Sequence, residues 1–209
     1  MLVLGTGLFA VEIADIASDV ADLEVVGFVE NQDRDRCSQP LANLPVHWFE
    51  GLAGLAHSHW VVCGLGTTHR SRFTAQAESA GCRFATVVHP MARVSRTSEL
   101  GAGSILHPGA LLGSHTRLGS HVCVNRGATV GHHTVIGDFT TVSPGANVAG
   151  SCQVGKAVYI GIGATLIDHV TIGAHCVVGA GAVVTKGVPE RSLAVGVPAR
   201  VVKRGIEGK

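Results

Sequence analysis

The 209-residue sequence has few aromatic residues, few charged residues and no long apolar run. Aromatic residues make up 4% and charged residues 15% of the chain, whereas 46% is hydrophobic, so a sizeable core can form. A membrane-spanning helix needs about eighteen or more consecutive apolar residues, and no such stretch is present. The formal net charge of +1 gives no excess of positive charge that would indicate binding to nucleic acid or to an anionic membrane surface.

The six cysteines form no C-x-x-C pair and no dense framework. We interpret them as reduced thiols in the core of a cytoplasmic protein rather than as disulfides or metal ligands. No basic segment precedes the first apolar residues, and residues 1–4 already have the pattern of a strand, so no signal peptide is expected.

A strict six-residue repeat dominates the second part of the sequence. Starting at Val88 and ending at Val184, every sixth residue is Val, Ile or Leu, without an insertion. The next residue is often Gly, and the residue four places after the aliphatic one is mostly small. Neither a period of 3.6 nor simple alternation fits. The repeat predicts short strands, with a large and a small residue inward, stacked about 4.8 Å apart in a solenoid.

Residues 1–84 lack this repeat and have a different sequence pattern. Apolar runs at 1–4, 23–29, 60–64 and 83–87 predict strands, and the segments 11–20 and 71–80 predict helices. This alternation favours a small, Rossmann-like α/β domain with a parallel sheet. We therefore expect one domain at 1–84 and a β-helix with a C-terminal cap at 85–209.

A glycine turn at Gly5, Gly7 and Ala10 follows the first predicted strand and opens the first predicted helix. Such a turn can bind a phosphate at the helix N-terminus. Glu30 ends the second predicted strand, where an acidic residue can meet a ribose or a base. A tight turn without a ligand is the alternative interpretation.

The loop at residues 64–70 ends another predicted strand. Its Thr67, Thr68 and Arg70 are suited to a diphosphate, although Thr68 can equally serve as a plain helix cap. The N-terminal part is too short for both halves of a dinucleotide fold, which disfavours NAD binding.

The two parts together resemble bacterial nucleotide-amino-sugar N-acetyltransferases and the related sialic acid O-acetyltransferases. The resemblance rests on the two N-terminal loops, on His89-Pro90, on residues 124–150 and on the ending at residues 196–200. It implies a left-handed, triangular β-helix, acetyl-CoA as cosubstrate, no required metal and a homotrimer. The implied reaction acetylates the C4 amine of a nucleotide-linked 4-amino-4,6-dideoxy sugar.

The resemblance makes His132 the general base and places His133 where the family has Glu or Asp. That carboxylate would orient the imidazole and stabilise its charged form. Either another carboxylate, such as Asp138 or one from a neighbouring subunit, orients His132, or the base is weaker. Two further histidines of the family correspond to Phe9 and Thr141.

The resemblance also assigns the binding residues. Those expected to contact the nucleotide-linked sugar are Gly5, Thr6, Gly7, Leu8, Phe9, Glu30, Asn31, Gly64, Thr67, Thr68, Arg70 and Asn125. Those expected to contact acetyl-CoA are Thr141, Gly150, Ile162 and Ala180. The histidines without a counterpart in the family are expected at the surface, namely His115, His121, His169 and His175.

Three other functions compete with amine acetylation. O-acetylation of a sialic-acid-like sugar would use the same scaffold. A zinc carbonic anhydrase shares the β-helix, but its usual histidine pair, separated by four residues, does not occur here. A binding or assembly protein without catalysis is favoured only by the loss of the acidic partner at His133.

Overall fold

The computed structural model describes residues 1–209, which separate into two compact units. The N-terminal unit contains Met1–Gly66 and Arg70–His89, and the second unit contains Thr67–His69 and Pro90–Lys209. None of the helices combines the length and the apolar character that a bilayer crossing requires. The assignment of separate functions to residues 1–84 and 85–209 stays a prediction.

The N-terminal unit is built on a parallel sheet. Its elements are β1 (Leu2–Leu4), α1 (Leu8–Ser18), β2 (Gly27–Glu30), β3 (Val46–Trp48), α2 (Leu52–Leu55), β4 (Trp60–Cys63), α3 (Ser71–Ser79), β5 (Arg83–Phe84) and β6 (Val87–Val88). Short 3₁₀ helices occur at Arg34–Ser38, Phe49–Gly51 and Thr68–Arg70. The first five strands lie in the order β3-β2-β1-β4-β5, and every neighbouring pair is parallel.

The structure shifts two predicted boundaries and adds a strand. Helix α1 begins at Leu8 rather than at residue 11, directly after the glycine turn. Strand β2 begins at Gly27 rather than at residue 23, because Gly27 pairs with Leu2, where β1 begins. Strand β3 was not predicted, and its Val46 pairs with Phe28 of β2. The strands and helices enclose a core that includes Leu4, Val29, Leu52 and Phe73.

The second unit is a parallel β-helix with three faces. Strands of the first face are Arg93–Val94, Leu111–Leu112, Thr129–Val130, Asn147–Val148, Thr165–Leu166 and Val183–Val184. Strands of the second face are Glu99–Leu100, Arg117–Leu118, Val135–Ile136, Gln153–Val154 and Thr171–Ile172. Strands of the third face include Ile105–Leu106, Cys123–Val124, Thr141–Val142, Tyr159–Ile160, Val177–Val178, Ser192–Val195 and Arg200–Arg204.

Within the β-helix, each strand residue pairs with the residue eighteen positions further along the chain. Leu111 pairs with Thr129, and Thr129 pairs with Asn147, so three six-residue repeats complete one coil. The stack ends in a hairpin, in which Arg200–Arg204 runs antiparallel to Ser192–Val195 with an irregular register between Leu193 and Ala194. The six-residue period therefore predicted the solenoid correctly.

The inside of the β-helix contains the large and small residues that the repeat predicts. Ile136 and Leu166 are at most 1% exposed, and the small residues Ala128 and Ala164 are fully buried. Burying one such aliphatic side chain contributes about 1.5–3 kcal/mol. The core of this unit is thus a column of aliphatic layers one coil apart.

Buried hydroxyl groups connect neighbouring coils. The Thr134 hydroxyl donates to the Ala149 carbonyl oxygen at 2.9 Å and accepts from the Cys152 N–H at 3.1 Å. Thr140 repeats the arrangement with Gly155 and Val158, at 2.9 and 3.1 Å. Polar atoms can be buried here without penalty because each hydroxyl both donates and accepts.

The corners of the coils require residues with positive φ. One corner uses glycine throughout, at positions such as Gly127 (φ 64°) and Gly145 (φ 64°). Apart from Gly103 (φ 72°), the other two corners use residues with side chains in the left-handed region. They are His115, His133, Ser151 and His169 at one corner, and His121, Phe139, Ala157 and His175 at the other. Four of the chain's histidines outside the proposed catalytic pair therefore occupy corner positions, where histidine is enriched among non-glycine residues.

We expect Thr134→Val to destabilise the fold by about 1–3 kcal/mol, because it leaves the Ala149 carbonyl and the Cys152 N–H without their hydroxyl partner. Thermal and urea unfolding would measure the loss. Thr134→Ser keeps the hydroxyl and should lose much less, and the exposed Thr171→Val should be close to neutral. Equal stability of the Val and Ser variants would show that this hydroxyl is not needed.

Candidate active site

His132 lies at the corner between the strands Thr129–Val130 and Val135–Ile136, with its side chain exposed. The next coil places Gly150 directly against its imidazole ring. A Cβ atom at Gly150 would lie 2.6 Å from His132 Cε1 and 2.7 Å from Nε2, far inside van der Waals contact. The absence of a side chain at Gly150 therefore creates the space that the imidazole ring occupies.

His133 is the direct partner of His132. The two Nδ1 atoms lie 3.1 Å apart, and the rings meet edge-on with their centroids 5.3 Å apart. His133 has a φ of 56°, so it occupies a left-handed corner position. The ring of His115, one coil earlier, lies 4.9 Å from the His133 ring. Three imidazole rings thus contact one another in sequence at this corner.

A cleft of about 340 Å³ opens beside these rings on the second face. It is lined by Thr97, Glu99, His115, Arg117, His133 and Val135. Within it, Arg117 Nε lies 3.4 Å from Glu99 Oε2, and both side chains are largely exposed.

Asp138 does not contact His132. Its Oδ1 accepts a hydrogen bond from the Ser120 N–H at 2.8 Å, at the next corner of the coil. Asp168 pairs with His169 at 3.6 Å, two coils beyond His132. Within one chain, the His132 ring therefore contacts His133 and no carboxylate.

The residues expected to bind acetyl-CoA lie at different places on the β-helix. Gly150 lies against His132, whereas Ile162 and Ala180 occupy adjacent coils at another corner. There the Gly181 N–H donates to the Ile162 carbonyl oxygen at 2.8 Å, and the Ile162 side chain is 58% exposed. Thr141 lies on the third face and is buried.

The N-terminal unit has its own cavity of about 180 Å³ at the carboxyl ends of its strands. It is lined by Gly5, Thr6, Gly7, Glu30, Asn31, Gln32, Asp33, Arg36, Leu65 and Phe73. Gly5 has a φ of 106°, and Gly64 packs so closely that an added Cβ would lie 2.7 Å from Ala10 Cα. Gly7 caps α1 without a side-chain hydrogen bond, so N–H groups of the first turn face the cavity end of the helix.

Glu30 is the buried charge of this cavity. Its Oε1 accepts from the N–H groups of Asn31 and Gln32, both at 2.8 Å, while Oε2 accepts from the Thr6 hydroxyl. Burial raises the pKa of this carboxyl, but the hydrogen bonds from Thr6 and from the backbone outweigh it, and the pKa is held below its ordinary value. Glu30 therefore stays ionised and organises the turn that follows β2.

The other residues expected to bind the sugar nucleotide have varied environments. Leu8 is 92% exposed at the start of α1, and Phe9 packs beside Gly66. Asn31 donates to the Gln76 side chain at 2.8 Å. Arg70 is buried.

The hydroxyl groups of Thr67 and Thr68 are bound within the second unit. Both donate to the Lys209 carbonyl oxygen, at 2.5 and 2.8 Å, and the Thr68 N–H donates to the same atom at 2.7 Å. Asn125 is buried, and its Oδ1 accepts from the Arg126 N–H. The structure therefore brings together Gly5, Thr6, Gly7, Glu30 and Asn31 in one cavity but not Asn125.

Sequence reasoning missed some residues of the N-terminal cavity and of the β-helix corners. Arg36 donates to the Thr6 hydroxyl at 3.0 Å and comes from a polar segment without a motif. His115 was expected to be a plain surface residue, yet its ring contacts His133. The surface prediction for His121 was wrong, because its ring stacks on Phe139 at 5.1 Å and is only 4% exposed. The spacing of eighteen residues was the available signal for both ring pairs.

Comparison with known proteins supports the fold of the β-helix and the acyltransferase class. A family model described as bacterial transferase hexapeptide (six repeats) matches residues 151–186. A search of curated proteins gave no match.

Several solved structures are similar over almost their whole length. A histidine-to-asparagine mutant of perosamine N-acetyltransferase from Caulobacter crescentus, in complex with CoA and GDP-perosamine, is 28% identical with a TM-score of 0.90, covering 97% of this chain and 96% of that chain. The acetyltransferase domain of PglB from Neisseria gonorrhoeae, in complex with acetyl coenzyme A, is 27% identical with a TM-score of 0.88, covering 96% and 98%. WeeI from Acinetobacter baumannii is 28% identical with a TM-score of 0.87, covering 96% and 98%.

We expect Gly150→Ala to displace the His132 ring while leaving the fold intact, because the new methyl group would overlap Cε1 and Nε2. A crystal structure of the variant, together with its melting temperature, would test this. Gly54→Ala, where an added Cβ meets nothing within 4 Å, is the control. An unmoved ring in the Gly150→Ala protein would contradict the close contact described above.

We expect Glu30→Gln to destabilise the N-terminal unit at neutral pH, by about 1 kcal/mol or more, since it removes a charged hydrogen-bond acceptor. The folded-state pKa of Glu30 is depressed below its ordinary value of 4.5. Its stabilising effect is therefore fully present above that value and is lost as the pH falls through the folded-state pKa. Urea unfolding of both proteins from about pH 7 to about pH 3 should show the difference shrinking. A difference that is constant with pH would exclude an ionised Glu30 as its source.

Proposed function

We propose that this chain, which belongs to the bacterial hexapeptide-repeat acetyltransferases, transfers an acetyl group from acetyl-CoA to the C4 amine of a nucleotide-linked 4-amino-4,6-dideoxy sugar. The proposal is carried by the similarity, over 97% of this chain, to an N-acetyltransferase crystallised with CoA and GDP-perosamine. The exposed imidazole of His132, lying against a glycine, supplies the base that such a reaction needs.

His132 has one nitrogen available for the reaction. Its Nδ1 faces His133 at 3.1 Å, which leaves Nε2 to act on the substrate. Nε2 removes a proton from the sugar amine as the amine nitrogen attacks the thioester carbonyl carbon. The new C–N bond forms, and the carbonyl electron pair moves onto oxygen, where a backbone N–H stabilises it. Collapse breaks the C–S bond, and the imidazolium returns its proton to the departing CoA thiolate.

The N-terminal unit is proposed to be a Rossmann-like domain that binds the nucleotide-linked sugar. In the order β3-β2-β1-β4-β5, the chain proceeds from β1 to one edge of the sheet and then continues on the other side of β1. The strand order therefore reverses at β1, and ligands of such sheets bind beyond the carboxyl ends of the strands at this point. Gly5 and Leu65 come after β1 and β4, Glu30 ends β2, and all three line the cavity there. The N-terminus of α1, with no acidic residue in its first turn, favours a phosphate group.

Acetyl-CoA is proposed to bind between subunits of a homotrimer of left-handed β-helices. Gly150 and the pair Ile162 and Ala180 lie at different corners of one coil column, so one chain alone does not bring them to a single groove. In a trimer, the corner with Gly150 of one β-helix would face the corner with Ile162 and Ala180 of a neighbouring β-helix. Light scattering should then give a mass of three times the 21.5 kDa chain, whereas a monomer that turns over acetyl-CoA would contradict the shared groove.

A thiol-release assay with acetyl-CoA tests the reaction itself. The acceptors would be GDP-, UDP- and dTDP-linked 4-amino-4,6-dideoxy sugars, with their 4-hydroxy counterparts and a sialic acid as hydroxyl acceptors. We expect turnover on an amino sugar, and a loss in kcat of about a hundredfold or more in His132→Ala, as for removal of a general base. Exposed His169, two coils further along the same corner, gives the matched control His169→Ala, which should retain activity.

Each other outcome has a definite meaning. Turnover only with a hydroxyl acceptor would change the reaction to O-acetylation. Binding of acetyl-CoA and a sugar nucleotide by a folded protein without turnover would favour a binding or assembly role. Full activity of His132→Ala would remove His132 as the base.

A further inference from the structure

The partner of His132 is an imidazole, and its geometry restricts where the protons can lie. The Nδ1 atoms of His132 and His133 are 3.1 Å apart, which is a hydrogen-bond distance between two nitrogens. A neutral imidazole has one N–H donor and one acceptor nitrogen. One of the two Nδ1 atoms must therefore carry the shared proton and the other must accept it.

The position of this proton decides whether His132 can act as a base. If His132 carries its proton on Nδ1, its Nε2 has a free lone pair and can take a proton from the amine. If His133 donates instead, the proton of neutral His132 must lie on Nε2, which then cannot accept. The direction of one hydrogen bond thus separates a working base from a blocked one.

The orientation of His133 is fixed from two sides. Its ring contacts His132 edge-on, with an interplanar angle of 81°, and the ring of His115 lies 4.9 Å away on the other coil. Its left-handed backbone conformation, with φ at 56°, further restricts where the side chain can point. His133 is thus held as a partner of defined orientation.

The titratable groups around His133 come from the coils on both sides of it. On the preceding coils, Arg117 and Glu99 line the same cleft and pair with each other at 3.4 Å, while His115 contacts the ring itself. On the following coils the corner positions are Ser151 and then His169, which pairs with Asp168. No carboxylate contacts either ring of the pair.

We infer that neutral His133, held by His115, is the positioning residue that replaces the family's carboxylate: its Nδ1 accepts the Nδ1–H of His132 and keeps the Nε2 lone pair of His132 free. This inference rests on the proposed function of His132 as general base. In this arrangement His133 carries its own proton on Nε2. When His132 Nε2 takes the amine proton, the hydrogen bond to His133 remains and stabilises the imidazolium without a negative charge.

The absence of a negative charge has a consequence for the dependence on pH. A carboxylate in hydrogen-bond contact favours the protonated imidazole and raises its pKa by one unit or more, whereas a neutral acceptor does so much less. The wild-type enzyme should therefore stay active at a lower pH than a variant with a carboxylate at position 133.

The first test is the tautomer of His132, which needs no substrate. Nitrogen NMR of ring-labelled protein at about pH 8, above the usual imidazole range, should find the proton of His132 on Nδ1. The preference should be lost in His133→Ala and kept in His133→Asn, because the Asn side-chain oxygen accepts a hydrogen bond and Asn tolerates a positive φ. A proton on Nε2 of His132 in the wild-type protein would overturn the inference.

The second test is kinetic and uses variants matched in backbone conformation. His133→Ala should lower kcat about tenfold or more with KM within twofold, and His133→Asn should recover most of it. His133→Asp should raise kcat and move the acid limb of kcat/KM upward by about one pH unit. His169→Asn, at an equivalent corner with a φ of 60°, is the control and should leave both constants unchanged.

These outcomes separate the inference from the function on which it rests. If wild-type protein acetylates an amino sugar but His133→Ala keeps kcat and His133→Asp leaves the pH profile unchanged, His133 has no positioning role and the acetyltransferase assignment stands. If no acceptor is turned over, the proposed function fails, and the tautomer of His132 still decides whether the histidine pair is arranged as inferred. Circular dichroism melting of each variant excludes a loss of folding as the cause.

Discussion

The rest of the β-helix depends on how its backbone turns corners. Each coil bends three times, and every bend from Gly103 to Gly181 uses a residue with positive φ, a conformation that most side chains disfavour. Glycine meets the requirement at one corner, for example at Gly127 and Gly145. At the other two corners the chain mostly uses residues with side chains, and five of these eight residues are histidines. Because all corners repeat after eighteen residues, the side chains at one corner stack, and every strand pairs in the same register.

The corner requirement also explains the composition of the site. His133 occupies a position where the backbone conformation already favours a residue such as histidine, so the partner of His132 is also a structural corner residue. Gly150 contributes in the opposite way, because only a residue without Cβ leaves room for the imidazole ring of the coil below. His133 therefore has a backbone role as well as its contact with His132, whereas Gly150 acts through the space that it leaves for the imidazole ring.

The parts that sequence could predict are the local ones. The six-residue spacing of aliphatic residues is enough to define the β-helix, since each strand needs only its own residues and its neighbours eighteen positions away. The glycine turn at Gly5 and Gly7 likewise predicted a helix after the first strand, because the signal lies within one short segment. The burial of His121 depends on Phe139 one coil away, and the contact of Arg36 with Thr6 joins segments whose pairing has no motif. The suggestion that Asp138 orients His132 was wrong within one chain, because the Asp138 side chain lies at the next corner and accepts a hydrogen bond from the Ser120 N–H.

The hairpin that ends the β-helix controls how the stack terminates. A column of identical coils exposes a strand edge that another copy of the column could extend indefinitely, which is the route to fibrous polymers. Here the outermost strand, Arg200–Arg204, runs against the direction of all the coils and joins through an irregular register, so it offers no continuation of the parallel ladder. Its Arg200, Lys203 and Arg204 are exposed, and like charges on two such edges repel. The hairpin thus gives an architecture capable of endless growth a fixed length.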